Sequence, residues 1–243
     1  MYSTDGDCET CKHLNNHRYC ENCSSNPDYE DLEDLYEPVS KEEMERIEKR
    51  DIEIRINQLQ TETLEVSISE ELLKSFEIAK GFTEKKCERP LFYSVYFDED
   101  CVVATDSMRM IVIKTDIPDQ LQGQMVVSMD DNTAKVLKTA QPFPDYKSVI
   151  PTKGTDLRLT KAEFFGLEIP YTNTEEIIKD KEELQRFNLG KTQLTFRKRF
   201  IQQALEVFPD DKTLLFRYIN KISPLVIEFG KSMLLQLPVR CND

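Results

Sequence analysis

Between residues 90 and 129 the chain packs four short β-prone runs into a stretch too tight for crossover connections. "PLFYSVYFD", "CVVATD", "MRMIVIKT" and "GQMVVSM" are rich in β-branched and aromatic side chains, and only a few polar residues separate each from the next. Parallel neighbours need about a dozen or more linking residues, so the first three of these runs must form an antiparallel meander, with the fourth as a further strand. The turn inside "CVVATDSMRMIVI" is unusual. It carries Asp106, Ser107, Met108 and Arg109, with neither Gly nor Pro.

The same order of elements occurs twice. "IEIRINQLQ" alternates Ile52, Ile54 and Ile56 with polar residues and reads as a strand. "SISEELLKSFEIAKGF" reads as a helix capped by Ser69, striped by Leu72, Leu73, Phe76 and Ala79, and stopped by Gly81. "DDNTAKVLKTA" reads as a second, short helix opened by Asp130–Asn132. After the connector "QPFPDYKSVIP", "TDLRLT" and "KTQLTF" read as strands and "RKRFIQQALEVF" as a helix. "TLLFRYI", "PLVIEFG" and "SMLLQLPVR" then read as three more strands. A charged helix is expected around "TEEIIKDKEELQRF". The pattern predicts an α+β chain of two similar units, 51–150 and 151–243, each an antiparallel sheet with helices on one face.

Residues 1–50 differ. They hold 14 acidic against 6 basic residues, both His, and Cys8, Cys11, Cys20 and Cys23 in a C-x2-C-x8-C-x2-C pattern. Two C-x2-C knuckles supply four thiolates, a set suited to tetrahedral Zn2+, with His13 and His17 as substitutes. Residues 1–26 are therefore expected to be a small zinc knuckle, and 27–50 an acidic linker with a short helix capped by Ser40 and Glu43. The free-thiol tail remains the alternative. Cys87, Cys101 and Cys241 are isolated and read as packing residues.

The start "MYSTDGDCETCK" is polar, and no run approaches the roughly 18–20 apolar residues of a membrane span. The expectation is a cytoplasmic chain in a bacterial or phage-infected cell, with no membrane partner. The formal net charge is −13, yet residues 191–243 hold 9 basic against 5 acidic residues. No nucleophile triad or phosphate-binding glycine loop is visible, and residues 51–243 contain no His. An enzyme is not expected.

Three segments together resemble the bacterial DNA sliding clamps, the DNA polymerase III beta subunit family. "VVATDSMRM" is similar to the family's ATD-x-x-R-L turn. "FPDYKSVIP" is similar to the segment that joins its second and third domains. "SPLVIEFGKSMLLQLPVR" is similar to its closing strands. The resemblance covers about residues 51–240 and implies clamp-fold domains, a ring around duplex DNA bound without regard to sequence, and no chemistry. A ring of about six such domains would make a trimer of this chain. It also implies a pocket that docks peptides of polymerase or other clamp-binding proteins. By position, that pocket would use Thr105, Ser107, Met108, Arg109 and Met110 from the turn. Pro144 and Val149 would come from the linker, and Leu237, Pro238, Val239 and Arg240 from the end. Where the family often has Gly-His, this chain has Ser107-Met108. DNA contact is expected from cations on the predicted helices: Lys74, Lys80, Lys135, Lys138, Arg197, Lys198 and Arg199. The alternative is a zinc-binding adaptor or regulator that uses a clamp-like fold to bind proteins and never encircles DNA.

Overall fold

The computed structural model describes residues 40–85, 89–170 and 183–240. The expected zinc ligands Cys8, Cys11, Cys20 and Cys23, the acidic stretch 27–38, and Cys87 and Cys241 lie outside them. The chain divides into two units, 1–58 and 59–243.

In the first unit the described element is helix α1, Lys41–Gln58. The Glu43 N–H donates to Ser40 Oγ at 3.2 Å, as a helix start requires. Ile52, Ile54 and Ile56 are in this helix, so the expected strand is corrected. Alternation alone misled. "EKRDIEIRINQ" extends an existing helix without a new nucleus, and Glu, Lys and Arg favour helix.

The second unit is built on one ten-stranded sheet in the order β1-β6-β5-β2-β3-β4-β13-β12-β11-β7. Its first part comprises β1 (Thr61–Glu65), β2 (Val95–Phe97), β3 (Cys101–Thr105), β4 (Arg109–Lys114), β5 (Met125–Met129) and β6 (Thr133–Leu137). Its second part comprises β7 (Thr155–Leu159), β11 (Leu214–Tyr218), β12 (Leu225–Phe229) and β13 (Ser232–Gln236). All pairings are antiparallel, and β4 joins the two parts by pairing with β13, Met110 opposite Leu235. A three-stranded sheet is formed by β8 (Glu168–Ile169), β9 (Leu184–Leu189) and β10 (Thr192–Arg197).

Helices α2 (Glu70–Lys80), α4 (Lys161–Phe165) and α5 (Lys198–Glu206) pack into the main core; α3 (Pro90–Tyr93) is a single turn. Ser69 caps α2 as expected, its Oγ accepting from the Leu72 N–H. Strand alternation sorts the two faces. Ile111, Ile113 and Leu234 join Leu72, Phe76, Ile201 and Leu205 on the helix side. Met110, Val112 and Leu235 join Tyr146 on the other. Phe164 of α4 stacks on Phe187 at 4.5 Å and on Phe216 at 4.6 Å, tying the small sheet to the large one. A buried ring of that size contributes roughly 1.5–3 kcal/mol.

"DDNTAKVLKTA" is a strand, not a helix. The Asp130 carboxylate accepts from the N–H groups of Asn132 and Thr133. The same bonds would cap a helix, so local chemistry does not distinguish a cap from a turn. Pairing of β6 with both β1 and β5 decides for the strand. Three further elements escape the sequence reading: β1, whose "TETLE" is mostly polar, α4, which is only five residues long, and β8, which is only two. In the segment expected to be a charged helix, 174–182 lies outside the described residues, and Leu184–Phe187 belongs to β9.

Candidate functional site

The turn between β3 and β4 owes its shape to Asp106. Its Oδ1 accepts from the Met108 N–H at 2.9 Å and from the Arg109 N–H at 2.8 Å. Thr105 Oγ1 donates to the Arg109 carbonyl at 2.6 Å and accepts from the Ser107 N–H at 3.0 Å. Ser107 has φ 68, a conformation that costs an L-residue about 1–2 kcal/mol and that glycine adopts freely. Side-chain hydrogen bonding here does the work of a glycine.

Arg109 is buried. Its Nε and Nη2 donate to Asp106 Oδ2 at 3.0 and 2.9 Å, and Nη1 donates to Gln203 Oε1 of α5 at 3.2 Å. The guanidinium lies over Phe82 and Phe200, with 4.9 and 4.8 Å to the ring centres. These partners place its charge on the helix side of the sheet. Met108, by contrast, is tied to the last strand: its carbonyl accepts from the Leu237 N–H at 3.0 Å.

On the face opposite the helices lies a cleft of about 220 Å³, with an almost wholly apolar lining. It brings together eight of the residues expected from the sequence: Thr105, Ser107, Met108, Arg109, Met110, Pro144, Val149 and Leu237. Val149 is 54% exposed and Leu237 38%, so both offer apolar surface to solvent. Pro238, Val239 and Arg240 are not in its lining. The Val239 N–H donates to the Thr195 carbonyl at 2.7 Å, and Val239 and Arg240 line a smaller depression with Arg186, Lys221 and Ile222.

The cleft also has walls that were not anticipated: Phe92, Phe143, Asp145, Tyr146, Pro224 and Leu235. Leu235 pairs with Met110 and so shares its face, a long-range pairing that the sequence does not announce. Phe92 was hidden by its reading as a strand residue. Arg89 stands beside Phe92, 4.7 Å over its ring, and donates to Ser107 Oγ at 3.2 Å and to Glu84.

Beneath the cleft, the Tyr146 hydroxyl donates to Asp98 Oδ2 at 2.6 Å and lies 3.4 Å from the Cys101 thiol. Lys147 Nζ is 2.9 Å from the same Asp98 oxygen. Burial pushes the Asp98 carboxyl up, but hydrogen bonds from Lys147, Tyr146 and the Glu99 N–H outweigh it and hold it below its ordinary range. Burial, then the bond to Asp98, drives the Tyr146 phenol well above its ordinary range, and burial raises the Cys101 thiol. "DED" at 98–100 reads as a solvated turn in sequence, yet the Asp98 side chain is only 14% exposed.

The expected DNA-contacting cations are spread over both faces. Lys74 is exposed on α2, beside Glu70, Glu71 and Glu77. Lys80 donates to the Tyr93 carbonyl at 2.7 Å and sits 3.8 Å over its ring. Lys135 and Lys138 are on and just after strand β6 rather than on a helix. Ala134 and Val136 face the helix-side core, so Lys135 between them projects from the opposite face. Lys138 pairs with Glu62 at 3.0 Å. Arg197, Lys198 and Arg199 gather at the start of α5 and line a depression of about 460 Å³ with Glu183, Gln202, Gln203 and Glu206. Lys198 is ion-paired with Glu183. Among the described residues no cluster of His, Cys, Asp and Glu could hold a metal.

No family model matches the chain. Nor does any curated protein. Solved structures do match, and they define a class: the antiparallel sheets, the few helices and the ten-stranded core are the fold of the DNA sliding clamps. More particularly, it is the fold of the bacterial DNA polymerase III β subunit. The Caulobacter crescentus β subunit superposes with TM-score 0.54 at 14% identity, over 74% of this chain and 67% of that one. The Helicobacter pylori β clamp bound to a DNA ligase peptide gives 0.51 at 15% identity, over 75% and 66%. The Thermotoga maritima β subunit gives 0.51 at 14%, over 75% and 66%. The chain thus spans about two thirds of the length of these clamps. Among the described residues no helix is long and apolar enough to cross a membrane.

Proposed function

We propose that this protein is a clamp-like processivity factor. It lies along or encircles duplex DNA and tethers a polymerase or another replication or repair protein through the apolar cleft, with no chemistry of its own. One observation carries the reading: Met108, the pair Pro144 and Val149, and Leu237, from three segments far apart in sequence, converge on a single apolar cleft on the face away from the helices. An apolar cleft with a few polar groups at its edge buries an anchor side chain and orients it by hydrogen bonds. The Helicobacter pylori clamp, of the same fold, binds a DNA ligase peptide. That peptide is the natural probe. It should bind this protein saturably, and Met108→Glu should abolish binding; unchanged binding by the variant would remove the cleft from the site.

In this reading the two parts of the ten-stranded sheet serve as two clamp-like domains, and a ring of about six takes three chains. Arg197, Lys198 and Arg199 on the helix side supply phosphate contacts. The Cys8, Cys11, Cys20 and Cys23 set holds a structural Zn2+.

A second reading, an adaptor that binds proteins without encircling DNA, is favoured by the pairing of several cations. Lys138 and Lys198 are spent on Glu62 and Glu183, and α2 carries more acids than bases.

A further inference from the structure

Residues 142–150 form one wall of the cleft, and they are held by few directional contacts. Among the described residues, their main chain donates or accepts no hydrogen bond with the sheet. Phe143 stacks on Tyr96 at 4.8 Å, and Tyr146 packs among Cys101, Val103 and Met110. Such apolar contacts are non-directional and tolerate sliding. The polar ties to the sheet converge on one hairpin, and two of the three end on one atom. Asp98 Oδ2 accepts from the Tyr146 hydroxyl at 2.6 Å and pairs with Lys147 Nζ at 2.9 Å. The third is the 3.4 Å contact of that hydroxyl with Cys101 Sγ.

Asp98 is itself well fixed. Its N–H donates to the Cys101 carbonyl at 2.9 Å, closing the β2–β3 hairpin, and its Oδ1 accepts from the Glu99 N–H at 2.9 Å. The carboxylate is thus an anchored acceptor aimed at the linker. Lys147 is mostly exposed, so its pairing alone is worth little, but the phenol bond is largely shielded from water.

We propose that Asp98 is the positioning residue of the cleft: by holding Tyr146 and Lys147 it fixes the wall made by Pro144, Tyr146 and Val149, and so sets affinity for the docked peptide. The role in affinity rests on the docking reading above; the role in fixing the wall does not. Asp98 touches no ligand and acts through the linker.

Two measurements on the full chain test this. Hydrogen–deuterium exchange compares the amides of 142–150 with those of β3, β4 and β13 in the wild type, Asp98→Ala and Asp98→Glu. Faster exchange confined to 142–150 in Asp98→Ala, restored in Asp98→Glu, is expected. Titration with the Helicobacter pylori DNA ligase peptide, at a temperature where every variant is folded, should show Asp98→Ala weakened on the order of tenfold and Asp98→Glu near wild type. A lowered melting temperature with unchanged linker exchange and unchanged affinity would reduce Asp98 to a plain stabilising residue and overturn the proposal. If the wild type does not bind the peptide, the docking reading and the affinity role fall together, and the exchange result alone decides whether Asp98 fixes the wall.

Discussion

The N–H of Leu237 donates to the carbonyl of Met108 across 3.0 Å, joining the closing strand to the turn that follows β3. This bond brings the end of the chain to the turn whose residues line the cleft. It is also where the two parts of the ten-stranded sheet meet, because Gln236 pairs with Arg109 one residue away. Sheet continuity and cleft shape therefore share one strand pair.

Arg109 is the strut of that junction. Arg109→Met should destabilise the protein by about 3–5 kcal/mol, since it leaves Asp106 without its buried partner. Urea denaturation measures this; a loss under about 1 kcal/mol, the range of an exposed ion pair, would show that the pair is solvated.

Asp98 gives the stability a signature in acid. Its folded carboxyl titrates below the ordinary value of 3.8, so its contribution is complete above that pH and is lost as pH falls through the folded value. The gap in melting temperature between wild type and Asp98→Asn should be constant above about pH 5 and should shrink below about pH 4. A gap that widens in acid contradicts the sign of the shift.

The start of α5 should carry DNA affinity, and β6 should not. Lys198→Glu with Arg199→Glu should weaken binding to duplex DNA of any sequence and reduce the slope of log K against log salt by about two. Lys135→Glu, which alters the opposite face, should leave both unchanged. Equal losses from the two would place DNA on neither face in particular.

Zinc content should be near one per chain, and Cys8→Ser with Cys23→Ser should remove it. Four cysteines in two C-x2-C pairs are a ligand set suited to one tetrahedral Zn2+, so a chain that purifies without zinc and gains none on titration would return residues 1–26 to a plain thiol tail.

Much of this was legible in the sequence. The meander, α2 with its Ser69 cap, and the closing strands follow from periodicity and turn chemistry. Eight cleft residues follow from the three clamp-like segments. What stayed hidden depends on long-range pairing. "IEIRINQ" alternates like a strand but continues a helix already begun. "DDNTAKVL" has the bonds of a cap but is claimed by neighbours on both sides. Lys135, expected on a helix, lies on β6 for the same reason. Asp98 looked solvated because nothing near it in sequence announces Tyr146, 48 residues away. The tail cysteines are as clear in sequence as any feature of the chain, and they lie outside the described residues.

Encirclement is a topological property, and retention on circular DNA separates it from ordinary binding. The protein is loaded onto nicked circular duplex, passed through a sizing column at high salt, and its mass is measured by light scattering. A closed oligomer, most simply a trimer, should remain on the circles and be lost when they are linearised. A monomer that leaves circular and linear DNA equally would contradict encirclement and leave the adaptor reading in its place.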